Sequence, residues 1–148
     1  MTEPKKLKAV LAGVYFSSDP ANPDTYSHFY TDLQMYTTTM TQPDPQRFMD
    51  QFASWEVSAK DNKFALTNKT RWRSEEYDRT WKAAETEMDP VKRAALFVKM
   101  NDLVIQNIVV IPVVFRPRVA AISSRMRDVV QSGWDGDFWA LPYWSKQA

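Results

Sequence analysis

The sequence predicts an α/β domain. Two cap-and-proline signals, Asp44-Pro45 and Asp89-Pro90, each precede apolar residues at helical spacing, and the β-branched run Ile108–Phe115 reads as a strand. The 148 residues are enough to close a core without staples. They match one domain on the usual scale of ~100 to 200 residues, although two small domains also fit.

Leu7, Val10, Leu11, Val14 and Phe16 form a compact apolar stretch without proline, expected as a buried strand with a helix as the alternative. Ser17–Asp24 is turn chemistry, because Asp19-Pro20 and Asn22-Pro23 bias the chain to extended and turn conformations. The next segment is rich in Thr, Tyr and Phe, and a strand is expected from about Asp32 to Thr38. Asp44 as N-cap and Pro45 in the first turn open a short helix whose Phe48, Phe52 and Trp55 share one face. Lys60–Lys69 is polar and irregular, the pattern of a surface loop. Ser74, Glu75 and Glu76 start a second helix with Tyr77, Trp81, Ala84 and Met88 along one side, running to about Glu87. Asp89-Pro90 starts a third, longer helix striped by Leu96, Met100, Leu103 and Val104 and ending near Asn107.

Ile108–Phe115 follows as a strand that Pro112 pushes toward a sheet edge or bulge, and Val119–Ser123 as a further short one. The end, Gly133–Trp144, is crowded with aromatic rings. Helices interspersed with strands indicate an α/β or α+β architecture, here a mixed sheet flanked by about three helices.

Composition removes several function classes. Lys+Arg of 19 against Asp+Glu of 18 leaves a net charge of +1, without the basic footprint of a nucleic-acid or anionic-membrane binder. With no cysteine and one histidine, His28, there is no thiolate zinc site, cysteine nucleophile or multi-histidine metal site. Glycine occurs only 3 times, so no phosphate-cradling loop of the G-x-G-x-x-G or Walker type is present, and no cofactor is implied. No apolar run reaches the ~18 to 20 residues of a membrane span, and the first residues show no export signal.

The order of features resembles a known family. An extended Leu33-Gln34-Met35-Tyr36 leads to Pro43-Asp44-Pro45 and a helix with Phe48; Arg71-Trp72 and Glu75-Glu76-Tyr77-Asp78 open a helix with Ala83-Ala84; Asp89, Arg93 and Leu96 follow, and then Ile111-Pro112-Val113. Over about residues 7 to 144 this is similar to the C-terminal part of the family 5 solute-binding proteins of bacterial ABC transporters, the peptide, opine and nickel binders. The resemblance implies a periplasmic-binding-protein-like lobe, the second lobe of a two-lobed clamshell that closes on a solute and is then read by a membrane permease. It implies a protein that is periplasmic or extracytoplasmic in its full-length parent. The first lobe is expected to be absent and the chain an excised domain or fragment, with its inter-lobe face open to self-association.

In that resemblance, Tyr36, Thr37, Thr38, Thr39, Met40 and Thr41 correspond to the strand-end loop that faces the cleft. Peptide binders present an Asp there to the peptide amine; the matching position here is about Thr39, whose hydroxyl cannot neutralise an ammonium. The hydroxyls suit a sugar-like, opine or blocked-peptide solute, or else reflect strand propensity alone. Arg116 is a candidate for a ligand carboxylate, against a plain turn residue. Trp134 is a candidate stacking ring, as is Trp139, against core packing. Asp135 and Asp137 flank Gly136 but lack the further oxygen ligands of a calcium loop. His28 is expected near the surface. Asn68-Lys69-Thr70 fits a glycosylation sequon, without meaning in a bacterial protein. The carboxylates from Glu75 to Asp89 sit at helix starts and on polar faces, so the expected function is non-catalytic solute binding. The alternatives are a scaffold domain derived from such a lobe and, more remotely, a small hydrolase.

Overall fold

The computed structural model describes residues 7–19, 21–40, 42–115, 117, 119–132 and 138–147. Among them are helices α1 (Ala12–Tyr15), α2 (Gln46–Met49), α3 (Glu75–Thr86) and α4 (Pro90–Gln106), and strands β1 (Met126–Arg127) and β2 (Ser145–Lys146). Single 3-10 turns occur at Asp50–Phe52, Ser54–Glu56, Lys60–Asn62 and Leu141–Tyr143.

The two long helices follow their sequence signals. The Asp89 carboxylate accepts from the amides of Val91 at 2.9 Å and Lys92 at 3.2 Å, with Pro90 in the first turn, so α4 begins where its N-terminal donors are satisfied. Its Met100 and Val104, four apart, are buried. The C-terminus closes as a Schellman motif: the Val109 amide donates to Val104 O at 3.0 Å and the Ile108 amide to Ile105 O at 3.0 Å. Such a motif needs a left-handed residue, and with so few glycines in the chain Ile108 fills it at φ 54°. In α3, Ser74 Oγ accepts from the Tyr77 amide at 3.2 Å and three acidic residues occupy the first turn. Tyr77, Thr80 and Ala84 form its buried side.

The helix expected after Pro45 is shorter than its apolar spacing suggests. α2 ends at Met49, and extended backbone at Ala53 (φ −69°, ψ 147°) separates the next two 3-10 turns. Phe52 is therefore buried while Trp55 on the following turn is exposed.

The expected strands do not form. Residues 7–11 are irregular and lead into α1, the helical alternative; 32–38, 108–115 and 119–123 are not in strands. Among the described residues the sheet is one antiparallel pair, Met126 opposite Lys146 and Arg127 opposite Ser145, not a mixed sheet. The reason is that β-branched side chains favour a pleated surface only once a neighbouring strand supplies the ladder. In its place, Val113 and Val114 are each 74% exposed and Phe115 92%.

The chain divides into two compact units. The first takes the residues up to Tyr36 together with Asp50–Asp78. Its core holds Phe52, Ala53, Val57 and Tyr77, with Tyr77 edge-on to Phe52 at 6.4 Å and to Trp72 at 5.3 Å. A parallel bridge joins Val57 and Asn68. The second unit takes Thr37–Met49 together with the chain from Arg79 onward, and buries Met49, Ala84, Met100, Val104 and Ala140.

Candidate functional site

Tyr36 is held by rings. Its centroid lies 5.6 Å from Tyr26, 6.1 Å from Tyr15 and 6.4 Å from Phe16, which leaves it 37% exposed in the first unit. Burial pushes its phenol above the usual tyrosine range, with Tyr26 adding to the shift. The Tyr15 phenol is pushed up to about 12, chiefly by burial and secondarily by Tyr36. Gln34 secures the approach to Tyr36 by donating from Nε2 to Tyr26 O at 3.0 Å. Thr37, Thr38 and Thr39 are exposed and Met40 half-buried, all in irregular backbone and all counted in the second unit. Arg116 and Trp134 lie outside the described residues, as do Asp135 and Asp137.

In the second unit, Asp44 and Arg93 form a bidentate pair, Nη1 to Oδ2 at 2.7 Å and Nη2 to Oδ1 at 3.1 Å. Arg93 also donates from Nε to Ala84 O at 3.0 Å and from Nη2 to Gln46 Oε1 at 3.3 Å, and its guanidinium lies 4.6 Å from the Phe97 ring centroid. One side chain thus ties the turn before α2 to the last part of α3 and the start of α4. The hydrogen bond from Arg93, helped by the Gln46 amide, holds the Asp44 carboxyl below the usual range.

A dense polar cluster in the first unit was not expected from the sequence. Lys69, expected in a surface loop, is 7% exposed; its Nζ donates to Ser58 Oγ at 3.3 Å, to Phe64 O at 3.0 Å and to Leu66 O, and lies 5.3 Å from the Tyr26 ring centroid. Burial lowers its pKa, the nearby Arg71 lowers it further, and Glu56 opposes the shift. Arg71, at φ 58°, donates to Ser58 O at 2.9 Å, to Phe29 O at 3.2 Å and to His28 O. His28 is 3% exposed, contrary to the surface position expected for it, with Nδ1 2.7 Å from Thr25 Oγ1 and its ring 4.2 Å from Phe64.

The Ser58–Lys69 contact superficially matches a serine nucleophile and its lysine base. Two of the Lys69 contacts are to backbone carbonyls, the Ser58 contact is long at 3.3 Å, and Ser58 itself is fully buried in the folded chain. The arrangement ties backbone segments together.

Asn68 is fully buried as well, donating to Ala53 O at 3.0 Å and Trp72 O at 2.9 Å, so the sequon asparagine offers no accessible acceptor in the folded chain. The one available hint of this cluster was the Arg71-Trp72 motif.

Among the described residues no group of three His, Asp or Glu side chains is placed to hold a metal ion, and no helix is long and apolar enough to cross a membrane. None of the family models, curated proteins or solved structures compared with the chain matches it.

Proposed function

We propose that the chain is a ligand-binding lobe of an extracytoplasmic solute-binding protein of an ABC transporter, serving uptake of a peptide, opine or sugar-like solute without catalysing a reaction. The observation that carries this reading is the meeting of separate motifs on Arg93. The resemblance rested on the order of Pro43-Asp44-Pro45, Ala83-Ala84 and Arg93 along the chain, and Arg93 bonds both Asp44 and the Ala84 carbonyl. A conjunction of that kind is what a shared architecture requires of motifs ~50 residues apart, whereas chance matches have no reason to touch.

In this reading Tyr36–Met40 meets the solute, joined by Arg116 and Trp134. The permease and a first lobe are the macromolecular partners, and nucleic acid is not one. The exposed run Ile108–Phe115 is a sheet-forming segment without a neighbouring strand among the described residues, which favours self-association alongside the inter-lobe face expected at Tyr36–Thr41.

Titration with oligopeptides, opines and oligosaccharides, followed by intrinsic fluorescence of the 6 Trp and 6 Tyr, tests the proposal. Saturable binding of one class is expected. A second reading, a scaffold domain that binds no solute, is favoured by the same exposed apolar run; it predicts a well-folded chain silent to every solute. Turnover of any of them contradicts both.

A further inference from the structure

We infer that the outer face of α4 is a docking surface whose occupant is α4 of a second copy of this chain, laid antiparallel across Val98. The helix runs 17 residues from Pro90 to Gln106, a length of about 25 Å. Its inner side is accounted for by the buried Met100 and Val104. Val91, Val98 and Ile105 lie on the other side and are exposed. They recur every seven residues, a step about 20° short of two full turns, so all three stay on one narrow stripe. The exposed Ala94 and Ala95 fill the stripe between the first two. Branched side chains alternating with small ones give a ridge and a shallow groove, the relief against which a second helix packs at about 8–10 Å. A solvated helix face is ordinarily polar, so α4 has one apolar side more than its own unit covers.

Symmetry and charge select the occupant. Val91 lies seven residues before Val98 and Ile105 seven after it. Two such stripes related by a two-fold axis at Val98 set Val91 against Ile105 at both ends, the self-complementarity that an isologous contact requires. In that register Asp102 of one copy comes level with Ala94 of the other, within a turn of its Lys92. Asp102 and Lys92 are both exposed and lie on the same flank of the stripe. The pairing therefore brings opposite charges together twice, whereas a parallel pair would leave these two about 15 Å apart along the axis. One helix pair is small for a specific interface, so reversible association at roughly 10–100 μM is expected, not a permanent dimer.

Sedimentation equilibrium in the Val113→Lys background, where the run Ile108–Phe115 contributes little, tests the inference. A monomer–dimer equilibrium is expected to persist there. Val98→Lys and, separately, Asp102→Lys are each expected to weaken it about tenfold or more at an unchanged melting temperature, because both positions are exposed. Adding Lys92→Glu to Asp102→Lys is expected to restore it. A chain that stays monomeric to about tenfold above the stated range overturns the inference and leaves the stripe to a helix of a different protein. A dimer indifferent to Val98→Lys overturns it as well. If Val98→Lys dissociates the dimer but Asp102→Lys does not, the antiparallel pairing is wrong and the inference falls.

Discussion

Arg93 shows how much a single side chain can organise. Its four hydrogen bonds and its ring contact depend on the planar guanidinium, which lysine lacks. Arg93→Lys is expected to destabilise the chain by about 1–2 kcal/mol, read as a lower urea midpoint at unchanged slope. The same pair sets an acid dependence. Because Asp44 has a folded pKa below its unfolded value of about 3.9, its contribution is fully present above that pH and is lost as pH falls through the folded value. Asp44→Asn should therefore flatten the acid limb of the stability profile. At this scale the sequence revealed acids and caps, since Asp44 and Asp89 bond amides only two or three residues ahead. It did not reveal that Lys69 and His28 are buried. Several of their partners are close in sequence, Leu66 O and Phe64 O for Lys69 and Thr25 Oγ1 for His28, but those contacts exist only because irregular turns wrap the chain back over each side chain, and a polar residue's immediate neighbours do not report such a turn.

Element by element, the two long helices were legible and the strands were not, for one physical reason. A helix satisfies its own backbone, so the caps and stripe of α4 state its limits locally. A strand is satisfied only by a neighbour, so the β-branched composition of Ile108–Phe115 records a propensity that the described structure leaves unrealised. The junction between the two is strained at Ile108, whose side chain is largely exposed and whose φ of 54° disfavours a β-branched residue. Ile108→Gly is expected to stabilise by about 1 kcal/mol, since it relieves the left-handed strain at the cost of some unfolded-state entropy. Thermal unfolding of the variant checks this, and a lower melting temperature contradicts it. In the run beyond, Val113→Lys is expected to leave the melting temperature within the small range of surface substitutions while reducing sedimentation-detected association and binding of an apolar-surface dye.

For the whole molecule, the tyrosines predict an alkaline limit. Burial raises the phenols of Tyr15, Tyr36 and Tyr77 above the ordinary value of 10.0. A raised folded pKa means that the stabilisation is intact below the unfolded value of about 10 and is lost as pH rises through the folded values. Lys69 acts in the opposite sense. Its folded pKa is lowered, so its burial costs less as pH climbs from that value toward about 10.4. Denaturant melts across this range should show stability holding or rising toward pH ~10 and falling above it, with late phenolate absorbance appearing together with unfolding.

Function is the level at which the sequence said least by itself. Charge balance and missing cysteines excluded whole classes, and the solute-binding reading came from motif order, to which the structure adds the convergence on Arg93. The measurement that bears on it most directly is amide chemical-shift mapping of the labelled chain during titration with the solute panel. Saturable shifts from one solute class, concentrated at residues 36–40, are expected. Absence of shifts with every solute, or shifts confined to other segments, would contradict it.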